Sequence, residues 1–404
     1  MIVNLIKNNC LGASAFLLLA VIIQAATPKI TNVLPRGGQR GSSVEVTITG
    51  SYLGDTEEIF FHSEGIKTEK ITPVKDTQFK ATLAISPEAK LGQYEMRVRT
   101  ASGLSTMKTF WVGPFPNIAE AEPNSEFEAA QKVSMNSTIN GVILNEDVDY
   151  YEVEVKKGQQ ISAEVEAIRL SGALFDPYVA ILDARRFELA ANDDSSLLLQ
   201  DSVASVIAPE DGTYRIEIRD SSYRGAGNYY YRLHVGHFPR PLISFPAGGK
   251  AGEKLEVTLM GDPKGPMKKI IQLPGKADPD FGYFAESNGA SAPSPNRIRV
   301  SDFASIREVE PNNNWKQATA TELPLPLAFD GIISEDGDQD YFKFKAKKGQ
   351  KFNVRVHARS VSSPLDPVLG IRDATGKSLK GNDDANNGPD SLITFTFPAD
   401  GEYF

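Results

Sequence analysis

The chain has 404 residues, with 43 Lys and Arg against 52 Asp and Glu, a formal net charge of −9, and one cysteine. Such acidity offers nucleic acid no electrostatic footprint, which excludes that class of partner. The length predicts about two to four domains, and short alternating runs of Val, Ile, Tyr, Phe and Thr, punctuated by 33 Gly and 25 Pro, predict an all-β chain of tandem β-sandwich modules.

Residues 1–26 read as a signal peptide. Lys7 supplies the positive start, Ala13 to Ile23 form an apolar run too short for a transmembrane helix, and Ala25 and Ala26 offer a cleavage site. The alternative is an uncleaved anchor; a lipoprotein is disfavoured because Cys10 precedes the apolar run. Cleavage removes the only cysteine, so the mature chain has no disulfide, zinc–thiolate site or thiol nucleophile. It also leaves nothing to insert in a membrane, and the protein is expected to be secreted or held at the cell surface.

Next come two matching segments. Pro35-Arg36-Gly37-Gly38 leads into Val44-Glu45-Val46-Thr47-Ile48-Thr49-Gly50, and 211 residues later Pro246-Ala247-Gly248-Gly249 leads into Leu255-Glu256-Val257-Thr258-Leu259-Met260-Gly261. Each is a Pro/Gly turn feeding a strand of period two. With Gly50-Ser51-Tyr52-Leu53 and the closing Gly92-Gln93-Tyr94-Glu95-Met96-Arg97-Val98, residues 28–113 resemble the IPT/TIG immunoglobulin-like family. Residues 239–304 match only at the front. Their second half, around Ser291 to Pro295, looks loop-like, so a partial Ig-like module is expected.

A second pair of repeats carries the chemistry. Glu120-Ala121-Glu122-Pro123-Asn124 and Asp147-Val148-Asp149-Tyr150-Tyr151 recur as Glu308-Val309-Glu310-Pro311-Asn312 and Asp338-Gln339-Asp340-Tyr341-Phe342. Pro123 favours an extended Glu122, which places Glu120, Glu122 and Asn124 on one side of the segment. Asp147 and Asp149, two apart, also share a face. Four carboxylates and an amide oxygen would repel one another without a cation. Calcium, with six to eight oxygens in loose geometry, suits the set, whereas zinc does not, since no His or Cys is present. The plainer alternative is a solvated acidic linker with Asn124 and Asp147 serving turns. Asn192-Asp193-Asp194 and Asn382-Asp383-Asp384 read as turns between strands.

The two repeats agree further at Lys157-Gly158-Gln159 with Lys348-Gly349-Gln350, Asp176-Pro177 with Asp366-Pro367, and Asp211-Gly212-Thr213-Tyr214 with Asp400-Gly401-Glu402-Tyr403. Residues 118–236 and 307–404 resemble the bacterial pre-peptidase C-terminal domain, a jelly-roll-like sandwich carried by many secreted proteases and by unrelated surface proteins. The resemblance implies calcium as cofactor, with Glu120, Glu122, Asn124, Asp147 and Asp149 as ligands in the first copy and Glu308, Glu310, Asn312, Asp338 and Asp340 in the second. The second copy stops at Phe404, before any counterpart of the strand Tyr229–Val235, so it is expected to be truncated and the sequence a fragment. On that strand, Tyr229, Tyr231, Leu233 and Val235 are expected to face the core, and Tyr230, Arg232 and His234 to face solvent.

No catalytic machinery is legible. His62, His234, His237 and His357 form no His-Glu-x-x-His helix, and neither a Gly-x-Ser-x-Gly elbow nor a phosphate-binding glycine loop is present. The expected function is a non-catalytic exported chain of calcium-stiffened spacer or binding modules. An extracellular protein or polysaccharide is the class of partner left open. Two alternatives stand beside it: the accessory region of a secreted hydrolase whose catalytic domain lies beyond residue 404, and an adhesin for polysaccharide or matrix.

Overall fold

Alternation along each strand decides what this chain buries. The computed structural model describes residues 27–404 apart from 73, 174, 386 and 387; the signal-peptide expectation for residues 1–26 lies outside the described residues. The chain is all-β, and among the described residues the helical elements are three short 3-10 turns, Phe127–Ala129, Ile168–Leu170 and Arg359–Val361. Among those residues no helix is long and apolar enough to cross a membrane.

The first unit packs two sheets face to face. One has the order Lys29–Leu34, Ser43–Ser51, Gln78–Ile85, Ile66–Ile71; the other runs Gly37–Gln39, Lys108–Gly113, Gly92–Thr100, Thr56–Phe61. Val46 and Ile48 point inward and are fully buried against Leu83, Met96 and Phe110, as period-two alternation requires.

Two five-stranded sheets follow. The first has the order Asn117–Ala119, Ser137–Val142, Tyr230–Gly236, Gln160–Glu166, Val203–Ile207, and the second Gln131–Lys132, Asp149–Val155, Gly212–Asp220, Pro177–Leu182, Glu188–Asn192. Ile139, Tyr151, Val153, Ile161, Ala163, Tyr231 and Leu233 fill the space between them.

Strand Gln160–Glu166 is buried at all seven positions. Its odd positions face that core. Its even positions, with Arg232 and His234 from the neighbouring strand, are buried under the adjoining units. This corrects the expectation that Tyr230, Arg232 and His234 face solvent. Arg232 and His234 are fully buried, and Tyr230 is half-buried with its hydroxyl accepting from Asn32 Nδ2 at 2.9 Å. The cover comes from the first unit, where a Cβ on Gly37 would lie 2.7 Å from the Arg232 guanidinium carbon, and from the third, which contributes Arg240 and Ser294.

The arginines that the second and third units bring to this junction are paired. Arg232 bonds Glu166, and His234 Nε2 lies 3.3 Å from the same carboxylate. Arg240 donates to Glu164 at 2.8 Å, and Arg169 to Asp201 at 2.6 Å and to Ser294 Oγ at 2.7 Å. Charges removed from water survive only when paired in this way.

The third unit has one three-stranded sheet, Ile243–Phe245, Lys254–Met260, Met267–Gln272, and otherwise short two-stranded ladders. Its late segment is short in strand yet packed, with Ala292 and Asn296 fully buried. In the fourth unit the pieces are Ala304–Arg307 with Leu327–Asp330, Thr319–Ala320 with Phe342–Ala346 and Gly401–Tyr403, Lys351–Arg355 with Leu392–Thr396, and Leu369–Arg372 with Ser378–Asn382.

Candidate metal centres

The segment entering the second unit ends its short parallel pairing at Ala119, and Glu120 and Glu122 then turn over the start of strand Asp149–Val155. Glu120, Glu122 and Asp149 each bring a carboxylate oxygen within 4.8 Å of the others; Glu308, Glu310 and Asp340 do the same in the fourth unit. The Glu122–Pro123 and Glu310–Pro311 bonds are both cis. One oxygen of each leading glutamate is held by backbone: Glu120 accepts from Val142 N at 3.0 Å, and Glu308 from Ile332 N at 2.8 Å. Glu122 accepts from Asn124 N at 3.0 Å, and Glu310 from Asn312 N at 2.8 Å.

Asn124 and Asn312 are fully buried, and neither side chain has a hydrogen-bond partner for its oxygen or its nitrogen. Asp149 Oδ1, Asp340 Oδ1 and Glu308 Oε2 are buried and unpartnered as well. A buried polar atom without a partner is costly, and natural structures seldom tolerate one. Here the asparagine side chain and one oxygen of the strand aspartate are left open in both copies of one motif.

Asp147 and Asp338 do not join these trios. Both precede the strand, in a turn, so the alternation that would align them with Asp149 and Asp340 does not hold there. Asp147 accepts from Ser125 Oγ at 2.9 Å and Leu144 N at 3.1 Å, and Asp338 from Ser334 N at 2.8 Å and Ser334 Oγ at 3.0 Å. Asn192 and Asn382 brace turns: each Nδ2 donates to a carbonyl two residues on, and each Oδ1 accepts an amide from the next strand.

Two residues that the sequence did not mark out belong to the first cluster. Tyr231 OH lies 2.8 Å from Glu120 Oε1 and 2.6 Å from Asp149 Oδ2, and Tyr151 OH lies 3.0 Å from Glu120 Oε1 and in contact with Tyr231 OH. Two hydroxyl hydrogens cannot satisfy four such contacts, so the cluster needs a further proton or a cation. The available signal was a tyrosine at two core positions, together with a glycine at the same place in both copies. A Cβ on Gly141 would lie 2.3 Å from the Tyr231 ring and 2.7 Å from Glu120; on Gly331 it would lie 2.6 Å from Glu308 and 2.7 Å from Asp340.

Charge repulsion shows in the acidities. Burial, then the hydrogen bond and charge of Glu120, push the Asp149 carboxyl far above the usual carboxylate range. Burial and then Asp340 push Glu308 up to about 7, and burial and then Asp338 raise Asp340. These groups are held where they do not all ionise unaided, which is the electrostatic condition a divalent cation relieves.

Comparison with known proteins finds matches to parts of this chain. A probable subtilase-type serine protease of Deinococcus radiodurans is 40% identical over 104 residues, which is 26% of this chain and 14% of that protein. The chain thus spans about a seventh of its relative's length. Among solved structures, SGBP-B of the Bacteroides ovatus mixed-linkage glucan utilization locus overlaps 52% of each chain at 12% identity with a TM-score of 0.21. The secreted serine protease VesC of Vibrio cholerae overlaps 50% of this chain and 47% of its own at 10% identity and a TM-score of 0.18. Overlaps this loose carry no functional argument. Residues 338–404, which open on Asp338 and Asp340, match the family described as the bacterial pre-peptidase C-terminal domain.

Proposed function

We propose that this chain is a non-catalytic, exported modular protein whose two carboxylate clusters each bind a calcium ion, fixing the incoming segment to its sandwich. The observation that carries the reading is the pair Asn124 and Asn312, each fully buried with an unpartnered side-chain oxygen and each bonded through its amide to a glutamate of a three-carboxylate cluster. Glu120, Glu122, Asn124 and Asp149 would hold one ion, and Glu308, Glu310, Asn312 and Asp340 the other. Asp147 and Asp338 shape the turns that present them. An all-oxygen set of this kind favours calcium over zinc, and its irregular spacing favours calcium over magnesium. Bound calcium supplies charge neutralisation and cross-linking, not chemistry on a substrate.

The histidines support a non-catalytic role. His234 meets Thr138 Oγ1 at 2.8 Å, but both residues are wholly buried. His357 lies 3.1 Å from Ser360 Oγ, and Asp390 is engaged at the serine end of that pair, accepting from the amides of Ala358, Arg359 and Ser360. Asp201 caps the equivalent turn in the first copy through Ala167 and Ile168, so the arrangement is a structural repeat.

Thermal melting of the full chain tests the cation reading. Saturation to 100 times the dissociation constant stabilises by about 2.7 kcal/mol, so millimolar calcium is expected to raise the melting temperature by several degrees over chelator. Equal temperatures would refute the reading. A second reading, favoured by the protease relative, makes these modules accessories of a secreted peptidase. In either case the chain alone is expected to leave denatured casein intact, and fragments would contradict both.

A further inference from the structure

One buried cation in the seam between the first and second units has no carboxylate. Arg36 is 5% exposed, and a guanidinium stays charged, so burial cannot neutralise it. Its Nη1 donates to the Leu170 carbonyl at 3.4 Å, a long bond, and its guanidinium carbon lies 5.1 Å from the centre of the Tyr230 ring. Nε is buried without a partner. Nη2 faces Gly172, an exposed residue on which a Cβ would lie 2.9 Å away. Nε and Nη2 form one edge of the guanidinium fork, suited to gripping two oxygens of one anion.

The neighbouring arginines show what is missing. Arg232 has Glu166, Arg240 has Glu164 and Arg169 has Asp201. Around Arg36 the charges are of one sign. Lys108 is half-buried and Lys29 exposed on the same unit. Burial, then Arg36, then Lys29 hold the Lys108 ammonium below its ordinary pKa. Among the described residues no carboxylate pairs with Arg36 or Lys108. Tyr230 reaches the seam from the second unit. Its hydroxyl oxygen accepts from Asn32 Nδ2 at 2.9 Å, which leaves its own hydrogen free to donate. A distant carbonyl and a ring face compensate weakly for a charge taken out of water, and a buried ion calls for a counter-ion.

We propose that the seam between the first and second units binds a tetrahedral oxyanion, a sulfate or phosphate group, held by the free Nε–Nη2 edge of Arg36 and by Lys108. Two cations without carboxylates match a doubly charged group better than a single carboxylate. Entry is past Gly172, where no side chain stands over Nη2. The Tyr230 hydroxyl offers a donor from the second unit, so the bound anion ties the two units together. The same chemistry is presented by the free ion and by an ester group on a larger ligand, such as a sulfated or phosphorylated sugar.

Isothermal titration of the full chain tests this, without calcium and at constant ionic strength in sodium chloride. The probes are sodium sulfate, sodium phosphate, glucose 6-sulfate, glucose 6-phosphate and sodium acetate. Saturable binding of one sulfate or phosphate per chain is expected, with acetate weaker. Esters that bind at least as tightly as the free ions support a larger ligand, and esters that bind less tightly or not at all support the free ion. Arg36→Met is expected to abolish binding. Lys108→Gln is expected to weaken it about tenfold, as loss of one hydrogen bond to a charged group implies. Lys108 is only half-buried, so this variant decides the matter even where Arg36→Met does not fold. No saturable binding above the chloride background, or an affinity unchanged in Lys108→Gln, overturns the proposal. Acetate bound as tightly as sulfate overturns it in favour of a carboxylate ligand. With calcium absent throughout, the result is independent of the carboxylate clusters.

Discussion

Asn124 is the single side chain that favours the proposed metal site over a plain acidic surface. Solvated carboxylates need no partner, but a fully buried amide oxygen does, and the protein supplies none. The repeat made Glu120, Glu122, Asn124 and their second copies legible in the sequence. Spacing could not separate Asp149 from Asp147, because alternation ranks residues only once a strand has begun, and this strand begins at Asp149. Tyr231 was invisible as a neighbour because it reaches Glu120 across 111 residues. The two aspartates are expected to behave oppositely. Asp149→Asn should remove the calcium-dependent rise in melting temperature of the second unit. Asp147→Ala should keep that rise while costing about 1 kcal/mol in calcium and chelator alike, the worth of its turn hydrogen bonds. Calorimetry with and without calcium distinguishes them, and matching behaviour would contradict the assignment.

At the scale of the element, strand Gln160–Glu166 and its neighbour Tyr230–Gly236 carry one apolar and one charged face, and both are buried. Alternation revealed the two faces. It could not reveal what covers the second, since the cover is built from Gly37 and Arg36 on one side and Arg240 and Ser294 on the other, and neither period nor turn residues show that these fold back over it. Removing one member of a buried ion pair leaves its partner uncompensated, so Arg232→Met is expected to cost about 3–5 kcal/mol in urea denaturation. Glu166 gives the pH dependence. Burial alone would raise its pKa, but Arg232 and then His234 outweigh burial and hold it at about 2. Its folded pKa is therefore below the unfolded value of about 4.3. The native state binds fewer protons across that interval, so this stabilisation is present above about pH 4.3 and disappears as pH falls toward 2. The stability difference between the wild type and Glu166→Gln should shrink over that window, and a difference constant with pH would show that the ion pair does not contribute.

On the scale of the whole molecule, the all-β architecture and the repeat of carboxylate-bearing sandwiches were readable from turn residues and alternation, which are local. The way the units join was not. Stiffness was expected from calcium at the linkers, whereas the second and third units meet through the buried pair Glu164–Arg240, beside the pairs Arg169–Asp201 and Arg232–Glu166, and the first unit adds Arg36, which donates to the Leu170 carbonyl. In the proposed reading calcium has a narrower task, pinning the segments Glu120–Asn124 and Glu308–Asn312 onto their sandwiches, the second of which leads into the stretch that matches the pre-peptidase C-terminal family. The most direct test of that task is a count of bound ions by equilibrium dialysis of the full chain against calcium. Two ions per chain are expected, falling to one in either Asp149→Asn or Asp340→Asn and to none in the double variant. No bound calcium at millimolar concentration, or two ions retained in the double variant, would contradict the assignment of these clusters as calcium sites.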